Sequence, residues 1–471
     1  MSQQTQTSST GESSTELKRV MGPGLLLLFI VGDILGTGVY ALTGKVANQV
    51  GGAVWLPFLC AFLVAMLTAC SYLELVTKYP QAAGAALYTH KAFGVHFLTF
   101  MVTFTVMCSG LTSASSAAKS FAGNFAEALA SVGVEIDVKG STVMITSLVF
   151  ILLVAAINFR GVGESVKLNV VLTLVELSGL AIIIVIGLLA LAQGQGETSR
   201  LTQFNAAEGE SPFMAVSAAT ALAFFALVGF EDSVNMAEET KNPAKVFPKI
   251  MLIGLSITGV IYILVAISSV ALVSPEDLGE GDAPLLKVIE AGAPGFPVCI
   301  FAIITMFAVA NSALINMLMA SRLLYGMGRQ GVLPAKLALV HRGRRTPWVA
   351  IVVTTALAVG LIAFADLTAL GGTTSLLLLA VFTLVNIAVL VLRKDKVEHK
   401  HFKTPTPLAV LGAILSFYLV TPFSGRATDD YAVAGVLLVV GLVLWALTAL
   451  WRRLYHNSFT VEEQQEEHIN L

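Results

Sequence analysis

The chain has 471 residues, of which 56% are hydrophobic and 12% charged, about half the charged share of an ordinary soluble protein. A single hydrophobic core stops growing near ~250–300 residues, so a water-soluble chain of this length would be divided by polar linkers, and no such linkers interrupt it. A net charge of −2 gives nucleic acid or an acidic partner no reason to bind.

Apolar runs instead recur at lengths near the ~20 residues that a helix needs to cross a bilayer. In chain order they fall at 22–46, 53–77, 93–117, 141–158, 165–192, 213–236, 249–273, 297–326, 347–365, 367–392, 406–423 and 431–451. This predicts an all-α polytopic membrane protein of about twelve transmembrane helices, with 347–365 and 367–392 forming a tight hairpin or one interrupted segment. Residues 1–20 are polar and lack the apolar core and small-residue cleavage site of a secretory signal, so the first span is expected to stay in place behind a disordered cytoplasmic tail. A transporter core is expected over 21–396, two further spans over 397–453 and a second cytoplasmic tail over 454–471. Cys60, Cys70, Cys108 and Cys299 all fall in apolar spans, where free cysteine behaves as a small hydrophobe, and predict neither disulfide nor metal.

With the N-terminus inside, only Lys45, Lys119, Lys139, Arg200, Lys287 and Arg426 of the 28 Lys and Arg residues fall outside, leaving 22 within. That asymmetry satisfies the positive-inside rule and places both termini in the cytoplasm of a cell-membrane protein. The outer loops carry Glu276, Asp277, Glu280 and Asp282.

Two spans are unusual. The first contains GDILGTGVY, which sets Gly32, Gly36 and Gly38 in mid-membrane, each costing a helix ~1 kcal/mol. Either the glycines let helices pack closely, or the helix breaks at Gly36–Gly38 and offers backbone N–H groups to a substrate carboxylate. The sixth span holds Gly229 followed by Glu231 and Asp232, and freed backbone at that depth must face protein or a cavity. Interruptions five spans apart point to a five-plus-five inverted repeat, roughly 21–192 and 213–392, with its site at the midplane.

These residues also carry a family likeness. GDILGTGVYALTG, YPQAAGAALY from Tyr79 to Tyr88, GFEDSVNMAEETKNPAKVFP from Gly229 to Pro248, and SRLLYGMGRQGVLP from Ser321 to Pro334 with RTP at Arg345 to Pro347 resemble the signatures of the amino acid-polyamine-organocation permeases. The last two spans match little beyond hydrophobicity. The resemblance implies alternating access around the broken first and sixth spans. By position, Gly36, Thr37 and Gly38 would meet a substrate carboxylate, and carbonyls near Phe225, Ala226 and Val228 its amine. Phe225 would be an aromatic gate, or else a packing residue. Ser312 and Asn316, four apart on one face, would line the cavity or bond neighbouring helices.

Three carboxylates fall at membrane depth, where a charge costs at least ~2.5–3.5 kcal/mol and usually faces a cavity or partner. Glu231 sits where the resemblance places a residue linked to proton coupling, its alternative being a fixed hydrogen bond across the break. Asp232, its neighbour, does not share its face. Glu176 stands where many relatives have a lysine that contacts the first span; with the sign reversed it is a protonation switch, a partner for a proton, sodium or substrate amine, or a permanently protonated acid. Asp33 opens the break where relatives are usually neutral, and it either favours a cationic substrate through close pairing or bonds a nearby N–H.

The remaining motifs are weaker. Glu238, Glu239, Lys241 and Lys245 read as an inner gate or a solvated helix end. His90, His96, His341, His399 and His401 lack metal-site spacing, and GMGRQG at Gly326 follows no strand, which excludes a dinucleotide site. No cofactor and no enzymatic activity are expected. The leading expectation is proton-coupled symport of an amino acid, polyamine or amine; a proton-independent exchanger and a solute sensor are the alternatives.

Overall fold

The computed structural model describes residues 21–81, 84–131, 133, 141–160, 165–204, 211–237, 240–329, 333–341, 344 and 346–455; the first expected tail, the second from residue 456 on, Lys139, Glu238, Glu239 and Arg345 lie outside the described residues. Helices account for almost all of the regular structure, and among the described residues the only β-type pairings are two isolated bridges, Met21 with Thr240 and Gly51 with Phe204. The all-α expectation therefore holds.

Helix α1 (Pro23–Leu35) starts on a proline, which suits the first turn because its missing N–H would have no partner there, and it stops at Gly36, where α2 (Thr37–Val50) takes over. Then follow α3 (Trp55–Lys78), the short α4 (Gly84–Phe93), α5 (His96–Ser131), α6 (Ser141–Arg160) and α7 (Ser165–Ala192). The second half opens with α8 (Pro212–Ala223), where the Ser211 side chain accepts from the Met214 N–H. Two 3₁₀ turns, Phe224–Leu227 and Asp232–Met236, continue that span without restoring an α-helix. Next come α9 (Pro243–Leu272), the short α10 (Pro275–Gly279) and α11 (Pro284–Gly292), then α12 (Val298–Arg329), α13 (Trp348–Phe364) and α14 (Leu367–Val391). Helices α15 (Thr406–Val420) and α16 (Thr428–Tyr455) close the chain.

Ten of these segments are long and apolar enough to cross a membrane, and the expected spans at 347–365 and 406–423 are the shorter apolar helices Trp348–Phe364 and Thr406–Val420. The tight-hairpin expectation is corrected in part. Asp366 caps α14 by accepting from the Ala369 N–H at 2.7 Å, but α13 packs on α5, α6 and α12 while α14 packs on α5, α15 and α16. The two helices meet at their link and then diverge.

The interrupted spans form the centre. Burial inside the protein covers 72% of the apolar window in both Pro23–Val50 and Pro212–Asn235, against 33% for Ser141–Arg160 and 22% for Thr428–Leu447. The rim helices show lipid-type faces, such as Ile145, Val149, Leu152 and Ile157 on α6 and Val436, Val439 and Val443 on α16, as expected where the solvent is hydrocarbon. The chain is thus a multi-pass membrane protein whose irregular backbone is buried in protein, the condition under which it is tolerated at that depth.

Candidate functional site

The site grows from three glycines of the first span, each held against a different neighbour. A Cβ on Gly32 would lie 1.9 Å from the Thr173 Oγ1 of α7, one on Gly36 2.9 Å from the Ser312 Oγ of α12, and one on Gly38 2.2 Å from the Ala226 Cα. The glycines permit close packing, and the helix also breaks at Gly36 with φ −30° and ψ −140°. The break leaves the first N–H groups of α2 without a side-chain cap. On its other side the Tyr262 hydroxyl of α9 donates to the freed Ile34 carbonyl at 2.6 Å.

The sixth span unwinds opposite. The Val228 N–H donates to the Phe225 carbonyl at 3.3 Å, Val228 is extended, and Gly229 adopts φ +122°, a conformation that glycine alone enters without strain. A Cβ on Gly229 would fall 2.8 Å from the Asp33 carbonyl carbon and oxygen. The two breaks therefore touch backbone to backbone.

Between them lies a cavity of about 20 Å³, room for about one water. Of the expected residues, Asp33, Gly36, Thr37, Gly38, Phe225, Val228, Ser312 and Asn316 line it. The Asn316 amide also donates to the Ser312 carbonyl at 2.9 Å, so this pair faces the cavity and braces its own helix. Phe225 is 4% exposed and belongs to the wall. Ala226 packs under Gly38 instead of lining the cavity.

The carboxylates divide differently from the sequence expectation. Glu231 is absent from the lining and turns back so that its Oε2 accepts from the Gly229 N–H at 2.9 Å, the fixed bond across the break weighed above. Asp232 lines the cavity in its place, as does Ser113 of α5, which the sequence hid in a run of small residues, TSASSAAKS. Asp33 reaches the cavity with an Oδ2 that has no partner among the described residues, and Thr37 Oγ1 is likewise unpaired. Glu176 lies apart on α7, 0% exposed, with neither oxygen partnered among the described residues. The Tyr40 hydroxyl of α2 donates to its main-chain carbonyl at 2.7 Å, which ties that part of α7 to the segment after the break.

Further contacts join the elements at both ends of the bundle. At the α1 end the Lys241 N–H donates to the Met21 carbonyl at 3.0 Å, and Tyr72 makes edge contacts with Tyr88, Phe230 and Phe382. At the α2 end α10 lies on α2, a Cβ on Gly44 being 1.9 Å from the Leu278 carbonyl oxygen. There Lys45 donates to the Gly279 carbonyl at 2.8 Å and sits 3.9 Å from Asp282, whose carboxyl is raised above its ordinary value by burial, against the pull of Lys45 and Lys119. Arg426, in the link between α15 and α16, is buried, bonding Asp430 at 3.0 Å and the Gly372 carbonyl at 2.7 Å.

The amino acid permease family model matches residues 25–447. The chain belongs to the amino acid permease family. This permease is 25% identical over 453 residues to a branched-chain amino acid permease of Bacillus subtilis, covering 94% of this chain and 93% of that one. It is 29% identical over 439 residues to a methylthioribose transporter of the same organism, covering 88% and 91%. It is also 28% identical over 349 residues to the chloroplastic cationic amino acid transporter 9 of Arabidopsis thaliana, covering 71% and 60%. The likeness seen in its motifs to the amino acid-polyamine-organocation permeases is borne out, and the permease belongs with transporters, not enzymes.

Proposed function

We propose that this permease carries an amino acid or a related organic amine across the cell membrane by alternating access, coupled to protons, with twelve spans and both termini cytoplasmic. The observation that carries the reading is the pair of touching breaks around a cavity of about 20 Å³ lined by groups from both. A solute of amino-acid size fits only if the breaks part. In both halves an interrupted span and a long helix precede one or two short helices and three further helices, an order that supports an inverted repeat. The relatives' names span branched-chain amino acids, methylthioribose and cationic amino acids, which keeps the solute class wide.

For coupling, Glu176 is the stronger of the two candidates. An unpaired carboxylate buried away from water costs several kcal/mol, so this position calls for a cation, and a proton needs the least room. Sodium is the competing cation. Glu231 already has a fixed partner in Gly229. In proteoliposomes with an imposed proton gradient, Glu176→Gln is expected to abolish gradient-driven accumulation while leaving exchange of internal for external solute. Equal uptake with and without the gradient, in wild type and variant alike, would show proton-independent exchange instead.

A further inference from the structure

The cavity's charge is one-sided. Asp33 and Asp232 both line it, and among the described residues no lysine, arginine or histidine does. Among the described residues, the charged groups that act on Asp33 are Asp232 and Glu231 from the unwound sixth span and Glu176 from α7. Tyr262 of α9 and Tyr40 of α2 stand beside this cluster, each with its hydroxyl committed to a main-chain carbonyl. Asp232 also has Tyr72 of α3 in its neighbourhood. None of these groups is cationic.

Two features show that this side of the cavity is unfilled by the protein's own bonds. Asp33 Oδ2 has no partner among the described residues, and the N-cap of α2 is Gly36, which has no side chain to serve the first N–H groups of that helix. Thr37, 2% exposed, lines the same cavity with an Oγ1 that is also unpartnered among the described residues. Two carboxylates in so small a space are costly unless cations meet them. A solute with a single amine would leave one unmet, whereas a solute with two cationic centres satisfies both. The open N-terminus of α2 can in addition take a carboxylate, so a basic amino acid and a simple diamine share the required chemistry.

We propose that Asp33 and Asp232 form a cation subsite that selects a substrate with two cationic centres, and that substrate and protons occupy this subsite in exchange. The proposal rests on the transport reading above and deepens it. When the substrate is absent, protons neutralise the carboxyl pair; when it binds, each ammonium group replaces a proton that leaves the carboxyl oxygen for solvent. No bond other than O–H breaks. Substrate and proton therefore compete, and binding weakens as pH falls.

The test uses purified full-length protein in detergent, with putrescine, lysine and leucine as probes, by thermal shift and by calorimetry in buffers of different ionisation heat. Putrescine or lysine is expected to bind with release of protons, and its affinity to fall at least about tenfold between about pH 7.5 and about pH 5.5; which of the two binds tells diamine from basic amino acid. Asp33→Asn and Asp232→Asn are each expected to weaken that binding about tenfold or more and to flatten its pH dependence. Affinity independent of pH with no proton release overturns the proposal, as does binding of leucine alone or of none of the three. If a variant fails to fold, the wild-type pH series and proton count still decide. Uptake into proteoliposomes separates the two readings. Leucine uptake that survives both substitutions leaves the transporter standing without the subsite, and pH-dependent binding of a dibasic probe with no uptake leaves the subsite without the transporter.

Discussion

Gly38 and Gly24 lie in the same span and are expected to respond oppositely to substitution. A Cβ at Gly38 would meet the Ala226 Cα at 2.2 Å, main chain that cannot step aside, while one at Gly24 meets nothing within 4 Å. Gly38→Val is expected to abolish uptake and lower the unfolding temperature in detergent, whereas Gly24→Ala should be neutral or stabilising by up to ~1 kcal/mol. Comparable behaviour of the two would mean that the breaks are not in contact. At this scale much of the site was legible: the glycines, Asp33, Thr37, Ser312 and Asn316 stand out as polar or flexible groups in apolar runs. The roles of Glu231 and Asp232 were not. Their exchange depends on a positive φ at Gly229 and on the 3₁₀ turn that follows, neither of which hydrophobic periodicity reveals.

The elements are fastened by a network that the sequence conceals. Glu74, near the end of α3, has a side chain only 3% exposed and pairs with Arg393 at 3.2 Å, while accepting from the Thr404 N–H at 2.8 Å. Lys78 donates to the Leu392 carbonyl at 2.6 Å, and the Thr404 hydroxyl to the Cys70 carbonyl at 2.6 Å. The segment after α14 is thereby strapped to α3. Glu74→Ala leaves a guanidinium and an N–H without their partner and is expected to cost ~3–5 kcal/mol, read as a lowered unfolding temperature and faster proteolysis after Arg393; an unchanged unfolding temperature would show the strap to be dispensable. In the sequence Glu74 is one charge near a span end, and its partner is 319 residues away. By contrast, α10 carries its own signal in the sequence: Ser274 caps it, Pro275 opens it, and Glu276 and Asp277 fill its first turn, a standard helix-start signal inside what hydropathy presents as a loop.

At the scale of the whole molecule, hydropathy predicted the membrane class and the central place of the interrupted spans, because both follow from apolar length and from the cost of irregular backbone in lipid. Contacts at the two ends, such as α10 on α2, could not be read, since they join segments far apart in the chain. That contact supplies a test of alternating access. A Cβ on Gly279 would lie 2.8 Å from the Asn48 Cβ, somewhat closer than the ~3.5–4.5 Å of a disulfide, so Asn48→Cys with Gly279→Cys should cross-link after a small shift. Oxidation is expected to stop uptake and reduction to restore it, with Asn48→Cys alone unaffected; full uptake by the cross-linked protein would mean that α10 does not move. The central claim, that solute crosses the membrane through the site between the breaks, is tested most directly by accumulation of labelled lysine, putrescine and leucine in proteoliposomes of the purified wild type and of Gly38→Val. The account predicts that wild-type vesicles take up at least one of these into their lumen and Gly38→Val vesicles do not. Saturable binding with no solute inside the vesicles, or equal uptake by both proteins, would contradict it.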